Sequence, residues 1–128
     1  MGADACHHNG EFRPSESRHL PELLCFGGVF HRYLESIGRN SGMPFFGIPE
    51  EPPYDKYTHD VQAAKETVKK VQCMDGYDNL FVVMAHDATI LDHVEFFPKL
   101  LNDWSQRGLA EKCRWGFLHD FHAVLGDQ

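Results

Sequence analysis

A histidine and an aspartate directly follow the most apolar stretch of this chain. Residues Leu80 to Ala85 are all apolar, and His86 and Asp87 come next. The length and β-branched content of the stretch predict a strand buried on both faces. Side chains that do chemistry often lie where the carboxyl end of a strand opens into a crevice, and a neutral imidazole there is a good ligand for zinc, iron or manganese. A structural role suits the same residues, with His86 hydrogen-bonded at the strand end and Asp87 capping the next element.

A second group of potential ligands lies near the start of the sequence. A carboxylate, a thiol and two imidazoles fall within five positions, at Asp4, Cys6, His7 and His8. These are donor types that bind zinc, although adjacent side chains reach one ion only from a turn. The alternative is a capping stretch at a frayed terminus. Arg13 follows, and its guanidinium is a candidate to bind a substrate carboxylate or to form an ordinary ion pair.

Together, the two segments resemble the metallo-β-lactamase-fold hydrolases, and they are most similar to a subgroup found in filamentous fungi. In that family an aspartate in a Gly-Asp-Ala segment bridges two metal ions, and a late motif contributes a ligating histidine. The resemblance therefore implies that Asp4 bridges or ligates metal and that His86 ligates it. Later stretches continue the resemblance in the same order over nearly the whole chain: Phe96 to Pro98, Leu101 to Trp104 and Trp115 to Phe121.

The resemblance also implies a fold and an incomplete site. Family members carry a His-x-His-x-Asp-His motif and a further histidine upstream of the aspartate segment, and neither is present in this sequence. We therefore expect an α/β chain that forms the C-terminal half of an αβ/βα sandwich, with residues 1–128 as one partial domain. The implied activity is zinc-dependent hydrolysis of an ester, lactone, lactam or thioester.

A catalytic zinc site typically needs three protein ligands, and the resemblance supplies two. The third would come from Cys6, His7 or His8, or from another chain. His8 and Asp87 are also candidates to accept a hydrogen bond from a ligating imidazole and so to orient it. We expect weak or substoichiometric zinc binding if no third ligand is provided.

Two other functions have support in the sequence. The first is a non-catalytic remnant or association subunit, because half of a sandwich leaves an unpaired sheet edge and an apolar face. This predicts a homo-oligomer or a complex with a partner chain. The second is a small metal-independent enzyme that uses His86 and Asp87 as an acid–base pair, with Cys6 or a histidine nearby.

Helices must position these segments. A stripe of apolar side chains predicts a helix over Val29–Ile37, and a second is predicted from about Asp60 to Gln72. A third is predicted to begin near Pro98, to bury Leu100, Leu101 and Trp104, and to stop near Gly108. The Gly/Pro-rich stretch from Asn40 to Tyr57 predicts a long loop that shapes a pocket or contacts a partner. Residues Trp115 to Leu118 suit a short strand or an irregular packed segment.

Composition narrows the class of protein. The 128 residues are 42% hydrophobic and carry a formal net charge of −7, which fits one domain and disfavours a nucleic-acid partner. No apolar run approaches the ~20 residues needed to cross a membrane, and no secretory signal is visible. The four cysteines show no Cys-x-x-Cys spacing. We expect a reduced, cytoplasmic protein that acts on a small molecule.

Overall fold

The computed structural model describes residues 4–22, 28–49, 59–121 and 123. The described part of the chain contains three α-helices, namely α1 (Val29–Ser36), α2 (Val61–Asp75) and α3 (Leu109–Cys113). Three 3₁₀ turns complete the regular structure, at Asn9–Glu11, Ala88–Ile90 and Gly116–Phe121. Within the described ranges, no helix is long and apolar enough to cross a membrane.

Helix α1 forms where its apolar stripe predicts it. Gly28 precedes the helix with φ of +77°, a left-handed conformation that glycine adopts without strain. Phe30 and Leu34 are buried, whereas Ile37, the last residue of the predicted stripe, lies beyond the helix end and is exposed. The predicted helix is confirmed apart from this final residue.

Helix α2 is the longest element and begins with a side-chain cap. The carboxylate of Asp60 accepts a hydrogen bond from the backbone N of Ala63 at 2.9 Å, which satisfies one of the free donors of the first turn. The helix continues three residues beyond the predicted end at Gln72 and finishes at Asp75, which is buried. The prediction of this helix is confirmed.

Two apolar clusters hold the described elements together. The larger cluster joins α1 to the C-terminal 3₁₀ turn through Leu20, Phe30, Leu34, Phe45, Phe117, Leu118 and Phe121. The smaller cluster joins the start of the chain to α2 through Cys6, Phe12, Val71 and Met84. Each potential ligand segment is therefore attached to the core by apolar neighbours, Cys6 for the first and Met84 for the second.

The strand predicted over Leu80–Ala85 is not formed in the described residues. Met84 is buried and makes one isolated β-bridge, while Leu80 and Ala85 are exposed and the residues between are half-buried. An apolar run reports that a segment can be buried, but a strand also needs a neighbour to pair with its backbone groups. The sheet of the expected sandwich is accordingly not seen in the described part of the chain.

The helix predicted from Pro98 to Gly108 is wrong. Residues 102–108 form successive turns, Leu100 is 73% exposed, and Trp104 is half-buried against Phe81 with ring centroids 5.6 Å apart. Asn, Asp and Ser side chains in this stretch favour turns over helix interior. Gly108, with φ of +63°, precedes α3 instead of ending a helix.

The remaining two predictions are partly confirmed. Residues Trp115 to Leu118 are packed but not a strand, since Gly116–Phe121 is a 3₁₀ turn with Phe117 and Leu118 in the core. The loop predicted over Asn40–Tyr57 is helix-free as far as Pro49, and Phe45 packs in the larger cluster. Residues 50–57 lie outside the described part of the chain.

Candidate metal centre

Three side chains converge at one exposed point: Asp4, His7 and His86. Nε2 of His86 lies 2.6 Å from Oδ1 of Asp4, and Nε2 of His7 lies 3.5 Å from the same oxygen. The two imidazole rings are 5.1 Å apart between centroids. One potential ligand atom from each residue lies within 4.8 Å of the other two. We call these residues the ligand trio.

The two adjacent histidines make different contacts, and only His7 joins the trio. His8 points the other way, where its Nδ1 accepts from the backbone N of Gly10 at 2.9 Å and its Nε2 lies 3.1 Å from Oδ2 of Asp120. Because a backbone N–H only donates, neutral His8 carries its proton on Nε2 and donates it to Asp120. A Cβ at residue 10 would lie 2.9 Å from Nδ1 of His8, so this approach favours glycine.

His8 is also set among aromatic rings. It makes edge-on contacts with Phe46, Phe117 and Phe121 at centroid distances of 5.2 to 5.9 Å. These contacts and the hydrogen bonds with Gly10 and Asp120 place His8 outside the ligand trio. The sequence predicted two possible roles for His8, as a metal ligand and as a residue that orients His86. In the structure it takes neither position.

Asp87 supports the chain around His86 but not the imidazole itself. Its Oδ1 accepts from the backbone N of Thr89 at 3.1 Å and from the Thr89 hydroxyl, which caps the Ala88–Ile90 turn. Its Oδ2 accepts from Nδ2 of Asn9 at 2.7 Å. The expected hydrogen bond to a ligating imidazole is replaced by these contacts, and the carboxylate beside His86 is that of Asp4.

Cys6 belongs to the core and not to the ligand set. It is buried among Phe12, Val71 and Met84. Burial, and secondarily the charge and hydrogen bond of Glu11, raise the pKa of the Cys6 thiol to about 12. The sulfur of Cys6 packs in the smaller apolar cluster, and Cys6 is not among the three residues whose ligand atoms lie together. The structure therefore does not bring Cys6 to the site that the sequence predicted it could complete.

Arg13 is likewise placed in the interior. Its side chain is 2% exposed, and its guanidinium makes a two-pronged contact with Asp75, with Nε to Oδ2 at 2.8 Å and a second bond to Oδ1. A further nitrogen donates to the carbonyl of Arg114 at 2.9 Å. The expectation that Arg13 binds a substrate carboxylate is corrected, because the carboxylate it binds is that of Asp75.

The donor set of the trio fits a zinc ion. Two imidazoles and one carboxylate are a common protein contribution to catalytic zinc, which leaves a position for water. With ligand bonds of 2.0–2.1 Å in a tetrahedron, donor atoms lie about 3.3 Å apart. The His7 to Asp4 distance of 3.5 Å already matches this spacing. The 2.6 Å pair of His86 and Asp4 would have to open by less than about 1 Å.

An open cavity of about 300 Å³ adjoins two members of the trio. Its wall next to Asp4 and His7 includes Glu11, whose carboxylate accepts from the backbone N of His7 at 3.3 Å. Its far wall includes His59 and Asp60 at the start of α2, and Ile48 and Val68 provide apolar surface. The sequence analysis missed Glu11 and His59 as site residues. The carboxylate four positions after His7 in a turn-rich segment was the available signal for Glu11.

An exposed carboxylate with two imidazoles beside an open cavity forms a candidate metal centre. Comparison with known proteins finds relatives that are named as a metallo-hydrolase and a lactamase. The chain is 36% identical over 98% of its length to a protein of Annulohypoxylon moriforme named metallo-hydrolase mfmC. It is 37% identical over 94% of its length to one of Fusarium pseudograminearum named gamma-lactamase FDB1. These relatives bear out the resemblance to the metallo-β-lactamase-fold hydrolases, and the chain corresponds to their C-terminal part.

The match covers only part of each relative. The chain spans about a third of the length of these two proteins, 33% and 31% respectively. It also matches 13% of a Penicillium roqueforti protein named cytochrome P450 monooxygenase mpaDE, at 32% identity. A share that small transfers no monooxygenase function to this chain. No family model and no solved structure matches the chain.

Proposed function

We propose that this chain contributes to a zinc-dependent hydrolase that cleaves an ester, lactone, lactam or thioester. The observation that carries the proposal is the convergence of Asp4, His7 and His86 at an exposed point beside an open cavity. The names of the fungal relatives, a metallo-hydrolase and a gamma-lactamase, support the same class. We propose further that residues 1–128 are part of one αβ/βα sandwich.

Each residue of the trio would have a simple task. His7 and His86 would each provide a ring Nε2 atom as a metal ligand, and Asp4 offers a carboxylate oxygen within reach of both. A bound zinc supplies a water of lowered pKa, near 7, as the nucleophile. Glu11 fixes the backbone of His7 through the hydrogen bond to its N–H, and the cavity beside Asp4 and His7 holds the substrate.

The charges around the cavity favour a neutral or cationic substrate over an anion. Asp4, Glu11 and Asp60 place three carboxylates on its wall, and one zinc ion would offset two of them. A neutral lactam should therefore bind about tenfold more tightly than the same ring bearing a carboxylate. Glu11→Gln keeps an oxygen that can accept from the His7 N–H but removes one negative charge. It should therefore reduce the difference in affinity between the neutral and the anionic compound. Equal binding of the two compounds by the wild type would contradict the charge argument.

The test of the proposed function is metal content followed by hydrolysis. Elemental analysis of the purified protein after zinc loading should give about one ion per chain, since three ligands are present. His86→Ala should lose the ion and any activity on a generic lactone or thioester. His93→Ala, which changes an exposed histidine outside the trio, is the matched control. Zinc content and hydrolysis unchanged in His86→Ala would overturn the proposal.

An association subunit is the second candidate, and one observation favours it. Four large apolar side chains are exposed within ten positions, at Leu91, Phe96, Phe97 and Leu100. We call this stretch the apolar segment. Large exposed apolar patches are uncommon on soluble monomers. A protein that binds no zinc but forms a defined oligomer or complex would favour this candidate.

A metal-independent enzyme is the third candidate function, and the structure supports it less than the other two. Its expected acid–base pair, His86 with Asp87, is not the pair that the geometry favours, because His86 is hydrogen-bonded to Asp4 and Asp87 to Asn9 and Thr89. Strong hydrolysis by metal-free protein, unaffected by chelator, would support an Asp4–His86 pair acting as base.

A further inference from the structure

The members of the ligand trio cannot owe their positions to their own packing. The side chains of Asp4, His7 and His86 are 67%, 43% and 52% exposed. An exposed side chain samples several rotamers unless its backbone is held and its neighbours restrict it. Two short segments carry the trio, residues 4–9 and 84–87. A more deeply placed contact must therefore hold these segments at a fixed distance from each other.

One part-buried hydrogen bond links these two segments directly. Nδ2 of Asn9 donates to Oδ2 of Asp87 at 2.7 Å, across 78 positions of sequence. Asn9 lies two residues after His7, and Asp87 immediately follows His86. Asn9 is 4% exposed and Asp87 is half-buried, so water competes less for this bond than for the exposed contacts within the trio.

Both ends of this bond are fixed in turn. The carbonyl of Asn9 accepts from the backbone N of Phe12 and of Arg13, and Arg13 is bound to Asp75 in α2. On the other side, the second oxygen of Asp87 holds the backbone N of Thr89. Each oxygen of the Asp87 carboxylate thus has a separate task, one within its own segment and one between the two segments.

We infer that Asn9 and Asp87 are positioning residues that set the distance between His7 and His86 and so determine metal affinity. The inference rests on the proposed metal centre. Neither residue touches the metal, and both act through the histidine nearest to them in sequence. Outer-shell partners of this kind are typically worth about 10- to 100-fold in metal affinity.

The amide of Asn9 and the carboxylate of Asp87 can be exchanged with each other by a double substitution. In Asn9→Asp two carboxylates face each other. In Asp87→Asn one of the two oxygens becomes an NH₂ group, which cannot accept, so either the Asn9 amide or Thr89 then faces another donor. In the double variant Asn9→Asp/Asp87→Asn, the amide at 87 donates to the carboxylate at 9 while its oxygen still accepts from Thr89. The double variant has the same number of charges as the wild type.

The experiment measures the zinc dissociation constant by competition with a chromophoric chelator, and the Co²⁺ absorption spectrum as a report of ligand geometry. Each single variant should bind zinc about 10- to 100-fold more weakly, and the double variant should return to within about threefold of the wild type, with its cobalt spectrum restored. Asp103→Asn, which alters an exposed ion pair with Arg107, is the matched control. Thermal unfolding of the metal-free variants separates loss of metal affinity from loss of the fold. If the Asn9–Asp87 bond were purely structural, its removal would lower the melting temperature but leave the cobalt spectrum of the folded fraction unchanged.

The outcomes separate this inference from the proposed function. If the wild type binds no zinc, the proposed function fails and the inference falls with it. If the wild type binds zinc and the single variants bind it equally well, only the inference fails. A double variant no better than the weaker single variant also overturns it.

Discussion

His86 and Asp4 are 82 positions apart in sequence, yet Nε2 of His86 and Oδ1 of Asp4 lie 2.6 Å apart. The resemblance that identifies both as metal ligands required them to be close, and the structure brings them together. The hydrogen bond joins the two donors directly, so zinc would have to replace this contact. Their role as ligands remains a prediction, and the adjacent histidines provide the sharpest test of it.

Replacing His7 and His8 in turn should give opposite results. His7→Ala removes a member of the trio and should weaken zinc binding by about 100-fold or more, since two protein ligands then remain. It should leave the unfolding of the metal-free protein nearly unchanged, because His7 is exposed. Isothermal titration with zinc and urea denaturation without it measure the two effects.

His8→Ala should do the reverse. It removes a half-buried ring that packs against three phenylalanines and binds Asp120, and should lower the free energy of unfolding by about 1–3 kcal/mol. Residual zinc binding should persist in the folded fraction. If His8→Ala loses zinc while His7→Ala retains it, then His8 is the metal ligand and the assignment of His7 is wrong.

Breaking the buried Arg13–Asp75 ion pair should destabilise the fold strongly. Asp75→Asn leaves the guanidinium of Arg13 buried without its counter-charge, a change that typically costs about 3–5 kcal/mol. Because whole domains are stable by only about 5–15 kcal/mol, much of the protein should unfold well below the wild-type midpoint in urea. Asp78→Asn, which alters the exposed pair with Arg18, should cost less than about 1 kcal/mol. Equal effects of the two substitutions would contradict the buried role of Arg13.

The raised pKa of Cys6 predicts an alkaline loss of stability. The pKa of its thiol is raised from 9.0 to about 12, mainly by burial. Below pH 9 both folded and unfolded chains hold the proton, so the stability is fully present. Between pH 9 and 12 the unfolded chain loses the proton while the folded chain keeps it, and the free energy of unfolding falls by up to about 1.4 kcal/mol per pH unit.

Urea denaturation of wild type and Cys6→Ala at several pH values checks this slope. The variant should lose stability less steeply above pH 9. It should keep some slope, because burial also raises the pKa of Cys113. Identical slopes would show that Cys6 is not the buried thiol described above.

The apolar segment should drive association. Phe97 is 95% exposed and Leu100 is 73% exposed, and covering such surface is favourable at roughly 25 cal/mol per Å². We expect the purified chain to sediment as an oligomer, and Phe97→Asp to shift it toward monomer. Tyr77→Asp, at another exposed aromatic residue, is the control. A monomeric wild type at micromolar concentration would contradict this prediction.

The sequence predicted the elements that depend on local pattern. The stripe at Phe30 and Leu34 and the cap at Asp60 identify α1 and α2, because a helix satisfies its backbone groups within itself. The predictions of a strand over Leu80–Ala85 and of a helix over Pro98–Gly108 were wrong for a different reason. A strand depends on a partner elsewhere in the chain, and turn-forming residues such as Asn102 and Asp103 outweighed the apolar spacing around Trp104.

The site divides in the same way. Asp4 and His86 were identified by resemblance to a family motif, but the choice among Cys6, His7 and His8 was open, because all three have suitable donor atoms. The folded structure separates them by their contacts: His7 lies beside Asp4, His8 contacts Gly10 and Asp120, and Cys6 is buried. The sequence also could not show that Arg13 faces Asp75, since that contact joins residues 62 positions apart.

The exposure of the ligand trio has a kinetic consequence. Water and small chelators reach all three donor atoms from the solvent side, so an incoming ligand can attack a bound ion before any protein bond to it breaks. Zinc held there would therefore be open to removal by a chelator that binds it before it has dissociated. Preparation in citrate or EDTA would then yield apoprotein. A catalytic assay of such a preparation would then measure how much zinc the buffer had removed and not how active the metal-loaded site is.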